Sequence, residues 1–464
     1  MHPLFEKAGE CARYIKGHSE ALVISHIDAD GVASAAVMCK MLEREGMDYG
    51  VRFLKQLDSV ALNEIADLGK QLVIFTDLGS TMIDQINALG MDIVIADHHQ
   101  PAGRGEYHLN PHLFGINGAN ELSGSGAAYL IWRAMGSTQD LADLAVVGAV
   151  GDLQDLREGR LIGMNRQILE EGVRGGVLSF KTDIRLFGRQ TRPVHKLLEY
   201  CSDPYIPGIT GDEEGCLRFL NDLGIKLKDA DWRRWIDLRK DEKQQIVSGL
   251  MRLCIASGIS PYKVERLVGE VYTLLKEEEG TELRDASEYS TLLNATARYG
   301  HAEIGLAVCM GDRSDAYVFA QNLLAQHRRN LSNGLNFVRD EGVVTLENLQ
   351  YFHAGNNIQD TIVGIVAGMS ASIEGISKEL SIVALADAED GIKISARGTQ
   401  DLVRRGLNLA VALKESAEQV GGAGGGHDIA AGATIPRGTE EKFISILNEK
   451  IGLQLGDGHE QHNV

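Results

Sequence analysis

Over the first hundred residues, four short apolar runs alternate with stretches patterned as amphipathic helices, and this alternation leaves few folds open. The runs fall at 21–25, 51–54, 72–76 and 92–96, with helical patterns at 31–45, 58–68 and 81–89 between them. Strands joined through helices pair in parallel, because a short turn cannot return the chain to the same end of the sheet. Runs that are nearly all apolar suit a sheet covered on both faces. Further helices are expected at 124–135 and 140–150. In an open parallel sheet, ligands bind beyond the carboxyl ends of the strands.

Those ends carry the ionisable residues. His26-Ile27-Asp28-Ala29-Asp30-Gly31 follows the first strand, Asp77 the third, Asp97-His98-His99 the fourth, and Gly151-Asp152 the helix ending near 150. Five aspartates and three histidines can therefore converge on one rim. So many carboxylates do not stay ionised side by side without positive charge to compensate them. Two divalent cations would supply it, and the alternation His-x-Asp-x-Asp can direct ligands to two neighbouring ions. Mixed carboxylate and imidazole ligation suits Mn²⁺, with Mg²⁺ as the all-oxygen alternative. Two ions about 3.5–4 Å apart form the usual clamp for phosphoester hydrolysis. The stretch Ser123-Gly124-Ser125-Gly126 either opens a helix or brings backbone close to the site, and the helix start is the expectation.

A chain of 464 residues exceeds one ordinary core, so two or more domains are expected. After Asp152 the pattern turns helical, with a candidate at 165–173, a rigid Pro/Gly connection at 200–211 and a polar, mostly helical stretch at 213–271 that holds Trp232 and Trp235. A helix is expected at 316–330. An α/β pattern then restarts, with strands at 342–346, 380–386 and 391–396, a long helix at 401–419, a glycine-rich turn, a strand at 429–435 and a helix at 439–451. The tail 456–464 reads as frayed, with His459 and His462 solvated. Six scattered cysteines form no Cys-x-x-Cys pair and read as reduced thiols. The N-terminus has no signal-peptide pattern, and no apolar run is long enough to span a bilayer. Net charge is -19, which argues against broad non-specific binding to nucleic acid but leaves room for a local basic groove.

Together, His26-Ile-Asp28-Ala-Asp30-Gly31, Asp77, Asp97-His98-His99 and Gly151-Asp152 resemble the four motifs of the DHH phosphoesterases. Ser395-Ala-Arg397-Gly398 and Gly424-Gly425-Gly426-His427 resemble the DHH-associated domain, and the order and spacing are most similar to archaeal RecJ-like nucleases. The resemblance implies that His26 and Asp28 hold one Mn²⁺, that Asp30, His98 and Asp152 hold the other, and that Asp77 bridges both. It implies that Asp97 orients ligands and that His99 contacts the scissile phosphate. It also implies that Arg397 and His427 grip phosphate oxygens from across a cleft, with Ser395, Gly425 and Gly426 in the same substrate-binding turns. Two features of these residues agree with those roles. Arg binds phosphate bidentately, and glycines let backbone N–H groups face an anion. Bacterial RecJ typically has an aromatic residue where His26 stands, and an added oligonucleotide-binding domain that is not seen in this sequence.

The expected architecture is α/β, with the active site in a cleft between two domains. A DHH domain spans 1–180, a mostly helical linker or insertion 181–335, a DHH-associated domain 336–455 and a flexible tail 456–464. The expected activity is two-metal hydrolysis of single-stranded DNA or RNA by an exonuclease, with Tyr351 and Phe352 as candidates for base stacking. The alternatives are a phosphodiesterase for short oligonucleotides or cyclic dinucleotides, and a non-catalytic scaffold. The resemblance implies a GINS complex as partner and a place in replication or repair. A cytoplasmic location is expected.

Overall fold

Strands β1 (Glu20–His26), β2 (Asp48–Leu54), β3 (Leu72–Thr76), β4 (Asp92–Ala96) and β5 (His108–Leu109) form a parallel sheet in the order β2-β1-β3-β4-β5. The structure is a computed structural model that describes residues 2–136, 139–201, 204–371, 373 and 375–457. The expected His459 and His462 of the tail lie outside the described residues. Every residue of β3 is buried, as are the five central residues of β1, which is what a sheet covered on both faces requires. The helix Ala29–Arg44 covers one face with Val32, Ala36 and Met38 fully buried, joined by helices Gly124–Ala134 and Ala142–Gly151. Ile65, Ile83 and Ile86 close the other face. The chain passes from β2 over β1 to β3, so the switch in strand order lies between β1 and β3, where the acidic motifs end their strands. The two-residue β5 was not expected, because it is too short to show any periodicity.

The chain forms two compact units, Met1–Leu324 and Ala325–Val464. Within the first, β6 (Leu178–Ile184) pairs antiparallel with β7 (Val268–Leu274). The expected polar, mostly helical stretch 213–271 holds the helices Glu213–Asp222, Lys240–Ala256 and Pro261–Glu265, and only its last residues enter β7. The ribbon itself is not read from the sequence, because β6 mixes polar and apolar residues and its partner lies far along the chain. Between the two strands, Ile206, Leu220, Trp235, Ile246 and Leu250 build an apolar core of their own. The helix expected at 316–330 runs from Asp315 to Glu341.

The second unit holds β8 (Val344–Thr345), β9 (Leu349–His353), β10 (Ser381–Ala388), β11 (Gly391–Arg397), β12 (Ala423–Gly426) and β13 (Ala430–Ile435), in the order β12-β13-β11-β10-β9-β8. Only β9 and β10 pair in parallel; the other neighbours are antiparallel. Three expectations change here. The long helix at 401–419 is two helices, Gln400–Arg404 and Leu409–Glu418, broken at Gly406, which has φ +108°. The glycine-rich turn is a strand, β12, and the reversal falls on residues 427–429. Tyr351 and Phe352 lie in β9. Phe352 is in the core and Tyr351 packs half-buried, so neither is an open stacking platform.

Candidate metal centre

The acidic rim forms because β1, β3 and β4 end side by side. Ser25 and Thr76 are paired neighbours at the ends of β1 and β3, and Thr76 Oγ1 donates to Ser25 Oγ at 2.8 Å. Ser25 Oγ donates in turn to the carbonyl of Gly31, 2.7 Å away. This buried polar link fixes where Asp28 and Asp77 leave the sheet. Asp77 has φ +58°, a left-handed conformation that costs a non-glycine residue on the order of 1 kcal/mol. Its N–H donates to the Ala96 carbonyl at 2.9 Å, so packing holds the unfavourable backbone in place.

Three groups of ligand atoms result, each within 4.8 Å: His26, Asp28 and Asp77; Asp30, His98 and Asp152; and Asp77, Asp97, His98 and His99, which overlaps the first two. Nδ1 of His26 lies 2.8 Å from Asp28 Oδ2 and 3.6 Å from Asp77 Oδ2. His98 Nε2 lies 3.2 Å from Asp77 Oδ1, 3.2 Å from Asp152 Oδ2 and 3.8 Å from Asp30 Oδ2. Asp77 therefore stands between the first two groups, with one oxygen toward each.

The arrangement is held from behind. His98 Nδ1 donates to the Gly118 carbonyl at 2.7 Å, which commits that nitrogen and turns Nε2 toward three carboxylates. Gln154 Nε2 donates to the same carbonyl, and Asn165 Nδ2 donates to Gln154 Oε1. Asp30, fully buried, accepts from the N–H groups of Gly124 (2.6 Å) and Ser125 (3.0 Å) at the start of a helix. The Ser-Gly-Ser-Gly stretch thus serves both of its readings. Ser123 caps the helix, and the backbone approaches the site so closely that a Cβ on Gly124 would sit 2.6 Å from Asp77 Oδ1. A Cβ on Gly31 would likewise lie 2.2 Å from the His26 carbonyl.

Asp97 borders the cluster, and its oxygens are taken up by hydrogen bonds. One of its oxygens accepts from the N–H groups of His98 and His99 and from His99 Nδ1, and the other from the N–H of Ser80. Ser80, Asn110 and His108 form a buried chain behind it, and Asn110 Nδ2 also donates to the His99 carbonyl at 2.8 Å. His99 is the open member of the motif, with about half of its side chain (49%) exposed.

Charge in the cluster is unbalanced. Burial disfavours the His26 imidazolium, but Asp28 and Asp77 outweigh it and hold its pKa at about 11. Burial and the Asp77 charge push Asp30 up to about 7. Burial and then Asp30 raise Asp152 well above the usual carboxylate range. Burial would raise Asp97 as well, yet His99, His98 and the Ser80 N–H hold it well below that range. His26, Asp30 and Asp152 thus hold protons more tightly than usual, while burial would raise Asp28 but the neighbouring His26 holds it down to about 2. His26 Nδ1 and Asp77 Oδ1 are buried and have charged neighbours at 2.8 and 3.2 Å, but neither contact has the directions of a hydrogen bond. Buried polar atoms of this kind are paired or coordinate an ion. The donor set, imidazole nitrogen with carboxylate oxygen, fits a hard or borderline divalent cation.

In the second unit, Arg397 ends β11 opposite Ala430 of β13, and the His427 N–H donates to the Ala430 carbonyl at 2.8 Å. The Gly398 N–H donates to the Ile429 carbonyl. The structure therefore brings Arg397 and His427 to the same end of this sheet. His427 is exposed and Arg397 is half-buried, with Nη1 on the Ala396 carbonyl. Ser395 is buried beneath the helix Asp360–Ser370, where Gly364 leaves room for it and for Arg397. Gly425 and Gly426 belong to β12, and Gly426 has φ +140°.

Sequence reasoning missed Gly118, Gln154, Asn165, Ser80, Asn110 and His108. Only the Gly-Ser stretch and the position of Gln154, two residues past Asp152, offered any signal.

Residues 20–149 match the DHH family, N-terminal domain, residues 186–268 the DHH-CID domain, and residues 346–453 the DHHA1 domain. Over 470 aligned residues the chain is 30% identical to the uncharacterized protein MJ0831 of Methanocaldococcus jannaschii, covering 97% of this chain and 100% of that one. This chain belongs to the DHH family. Another DHH relative is the single-stranded-DNA-specific exonuclease RecJ of Bacillus subtilis, 31% identical over 178 residues, which are 35% of this chain and 23% of that one. Among solved structures, exonuclease RecJ bound to manganese matches with TM-score 0.60 at 17% identity, over 97% of this chain and 94% of that one. CDC45 from Entamoeba histolytica matches with TM-score 0.65 at 12% identity, over 96% and 98%. The DHH fold here is thus RecJ-like. Among the described residues, no helix is long and apolar enough to cross a membrane.

Proposed function

We propose that this DHH-family phosphoesterase is a two-metal exonuclease that hydrolyses phosphodiester bonds of single-stranded nucleic acid. The observation that carries the reading is His98. Its Nδ1 is committed to a carbonyl and its Nε2 faces three carboxylates, with Asp77 shared toward His26 and Asp28. His26, Asp28 and Asp77 would hold one cation, and Asp77, Asp30, His98 and Asp152 the other, with Mn²⁺ favoured by the imidazoles and Mg²⁺ as the alternative. Bound there, divalent cations lower the pKa of water and draw charge from phosphoryl oxygens.

The chain's own residues do the rest. Gly118, Gln154 and the start of the helix Gly124–Ala134 fix the ligands before anything binds, so little reorganisation accompanies binding. Asp97 takes the Nδ1–H of His99, favours its imidazolium form and aims the other N–H outward, where it donates to a phosphate oxygen. Arg397 and His427 bind further phosphate oxygens of the strand. RecJ relatives described as single-strand-specific or bound to manganese support this substrate and metal. A GINS complex is the proposed partner in replication or repair, to be tested by co-purification, and the proposed location is the cytoplasm.

The deciding experiment incubates the purified full chain with 5′- and 3′-labelled single-stranded DNA and RNA, with and without Mn²⁺. Stepwise, Mn²⁺-dependent shortening of strands supports the reading. Cleavage confined to the shortest oligonucleotides makes the chain a small phosphodiesterase, which its net charge of -19 would suit. Binding without cleavage makes it a scaffold.

A further inference from the structure

A groove of about 610 Å³ lies between β6 and the helix Lys240–Ala256. Its lining inverts the charge of the molecule: three lysines, Lys181, Lys240 and Lys243, and one carboxylate, Asp183, in a chain of net charge -19. Asp183 is already engaged. One oxygen accepts from Trp235 Nε1 and the other lies 2.9 Å from Lys181 Nζ. Lys240 and Lys243 have no ion pair among the described residues, and Lys243 Nζ lies 5.8 Å from the Trp235 ring. Lys240, Lys243, Gln244, Val247 and Ser248 recur at the i, i+3, i+4, i+7, i+8 spacing of a single helix face. That face sets two lysines and two polar side chains around Val247, toward a groove whose floor is apolar with Ile184 and Val268. Lys240 is also the first residue of a 17-residue helix, whose N-terminal end adds positive potential.

We propose that this groove holds the phosphate backbone of a single-stranded nucleic acid, at a site separate from the metal centre. The inference rests on the reading of the chain as a nuclease and adds a second place where the strand is held. The lining is rich in donors, and its one carboxylate is spent. A phosphodiester backbone presents only acceptors to it. The groove is also braced to the centre. Arg185, the residue after β6, donates to Asp155 at 2.7 Å, three residues beyond Asp152.

The test compares the wild-type full chain with the variant Lys240→Glu/Lys243→Glu, both checked for an unchanged circular dichroism spectrum and melting temperature. A second variant, Lys240→Gln/Lys243→Gln, removes charge without reversing it. Binding of a fluorescein-labelled oligothymidylate is measured in EDTA across a salt series, and hydrolysis of a dinucleotide is measured in Mn²⁺. Each lost lysine–phosphate contact lowers the log–log salt slope by about 0.7 for single strands, so the Gln variant should lose about 1.4 and bind about tenfold more weakly. Dinucleotide hydrolysis should not change. Wild-type strand affinity and slope in both variants would overturn the proposal, as would failure of the wild-type chain to bind the strand at all. Loss of poly-glutamate binding with strand binding intact would overturn it in favour of an acidic protein partner. A wild-type chain that binds strands through these lysines but cleaves nothing would instead sink the nuclease reading and leave the groove standing.

Discussion

The strand ends of β1, β3 and β4 and the end of β11 both gather ionisable side chains, and they are built in opposite ways. At the first, Asp30, Asp77 and His98 are buried, with helix N–H groups behind Asp30 and a carbonyl behind His98. At the second, Arg397 is half-buried at the end of β11 and His427 exposed in the turn of the neighbouring glycine-bearing hairpin. The first site is crowded with charge that repels itself and is stable only with something bound or with protons taken up. The second sets Arg397 half-buried and His427 exposed at one end of a sheet. The difference teaches how each group is held: by buried hydrogen bonds in the first, by strand register in the second.

The largest effect should come from Asp77, the residue shared by both ligand groups. Asp77→Ala should lower Mn²⁺-dependent strand hydrolysis on the order of a thousandfold or more, because both cation sites lose a ligand. The fold should persist, and the metal-free variant should melt at the same or a higher temperature, since like charges are removed. Near-normal turnover would remove the asymmetry between the two regions.

Arg397→Ala should sharpen the comparison from the other side. Mn²⁺ affinity measured by calorimetry should stay unchanged, while kcat/KM on strands falls roughly tenfold to a hundredfold, the worth of one charge-assisted hydrogen bond of about 1.5–3 kcal/mol. A parallel loss of Mn²⁺ affinity would mean that the regions are not independent. Gln154→Leu makes the reverse cut. It removes a donor to the Gly118 carbonyl that positions His98, and should weaken Mn²⁺ binding roughly tenfold to a hundredfold without touching a ligand. Strand affinity in EDTA should not move.

The smallest effect is in pH. Asp30, raised to about 7, favours the metal-free fold when protonated, so its contribution is present below about 4 and is lost as pH rises through 7. His26, raised to about 11, contributes fully below about 6.5 and is lost as pH rises toward 11. The metal-free chain should therefore melt lower at pH 8 than at pH 6, and Mn²⁺ should raise the melting temperature more at pH 8. An Mn²⁺ shift that is larger at pH 6 would contradict a cluster in which cations replace protons.

The centre was legible because its ligands sit at strand ends, where alternating apolar runs already say the chain must emerge. The supports were not. Gly118 and Asn165 lie on unrelated segments and meet His98 only through tertiary packing, and Ser80, Asn110 and His108 look like ordinary loop polarity until Asp97 is seen to face them. The ribbon of β6 and β7 was hidden by its long sequence separation, and β12 by glycines that read as a turn although each pairs with β13. Arg397 and His427 could be named from motif, but their meeting at Ala430 is a matter of strand register that no local pattern encodes.

The account turns on two cations sharing Asp77. Electron paramagnetic resonance of the full chain loaded with Mn²⁺ tests this directly, because ions about 3.5–4 Å apart couple magnetically. The account predicts two Mn²⁺ per chain with a spin-coupled spectrum, and loss of that coupling in Asp77→Ala. A spectrum of isolated ions in the wild-type chain, or coupling that survives Asp77→Ala, would contradict it.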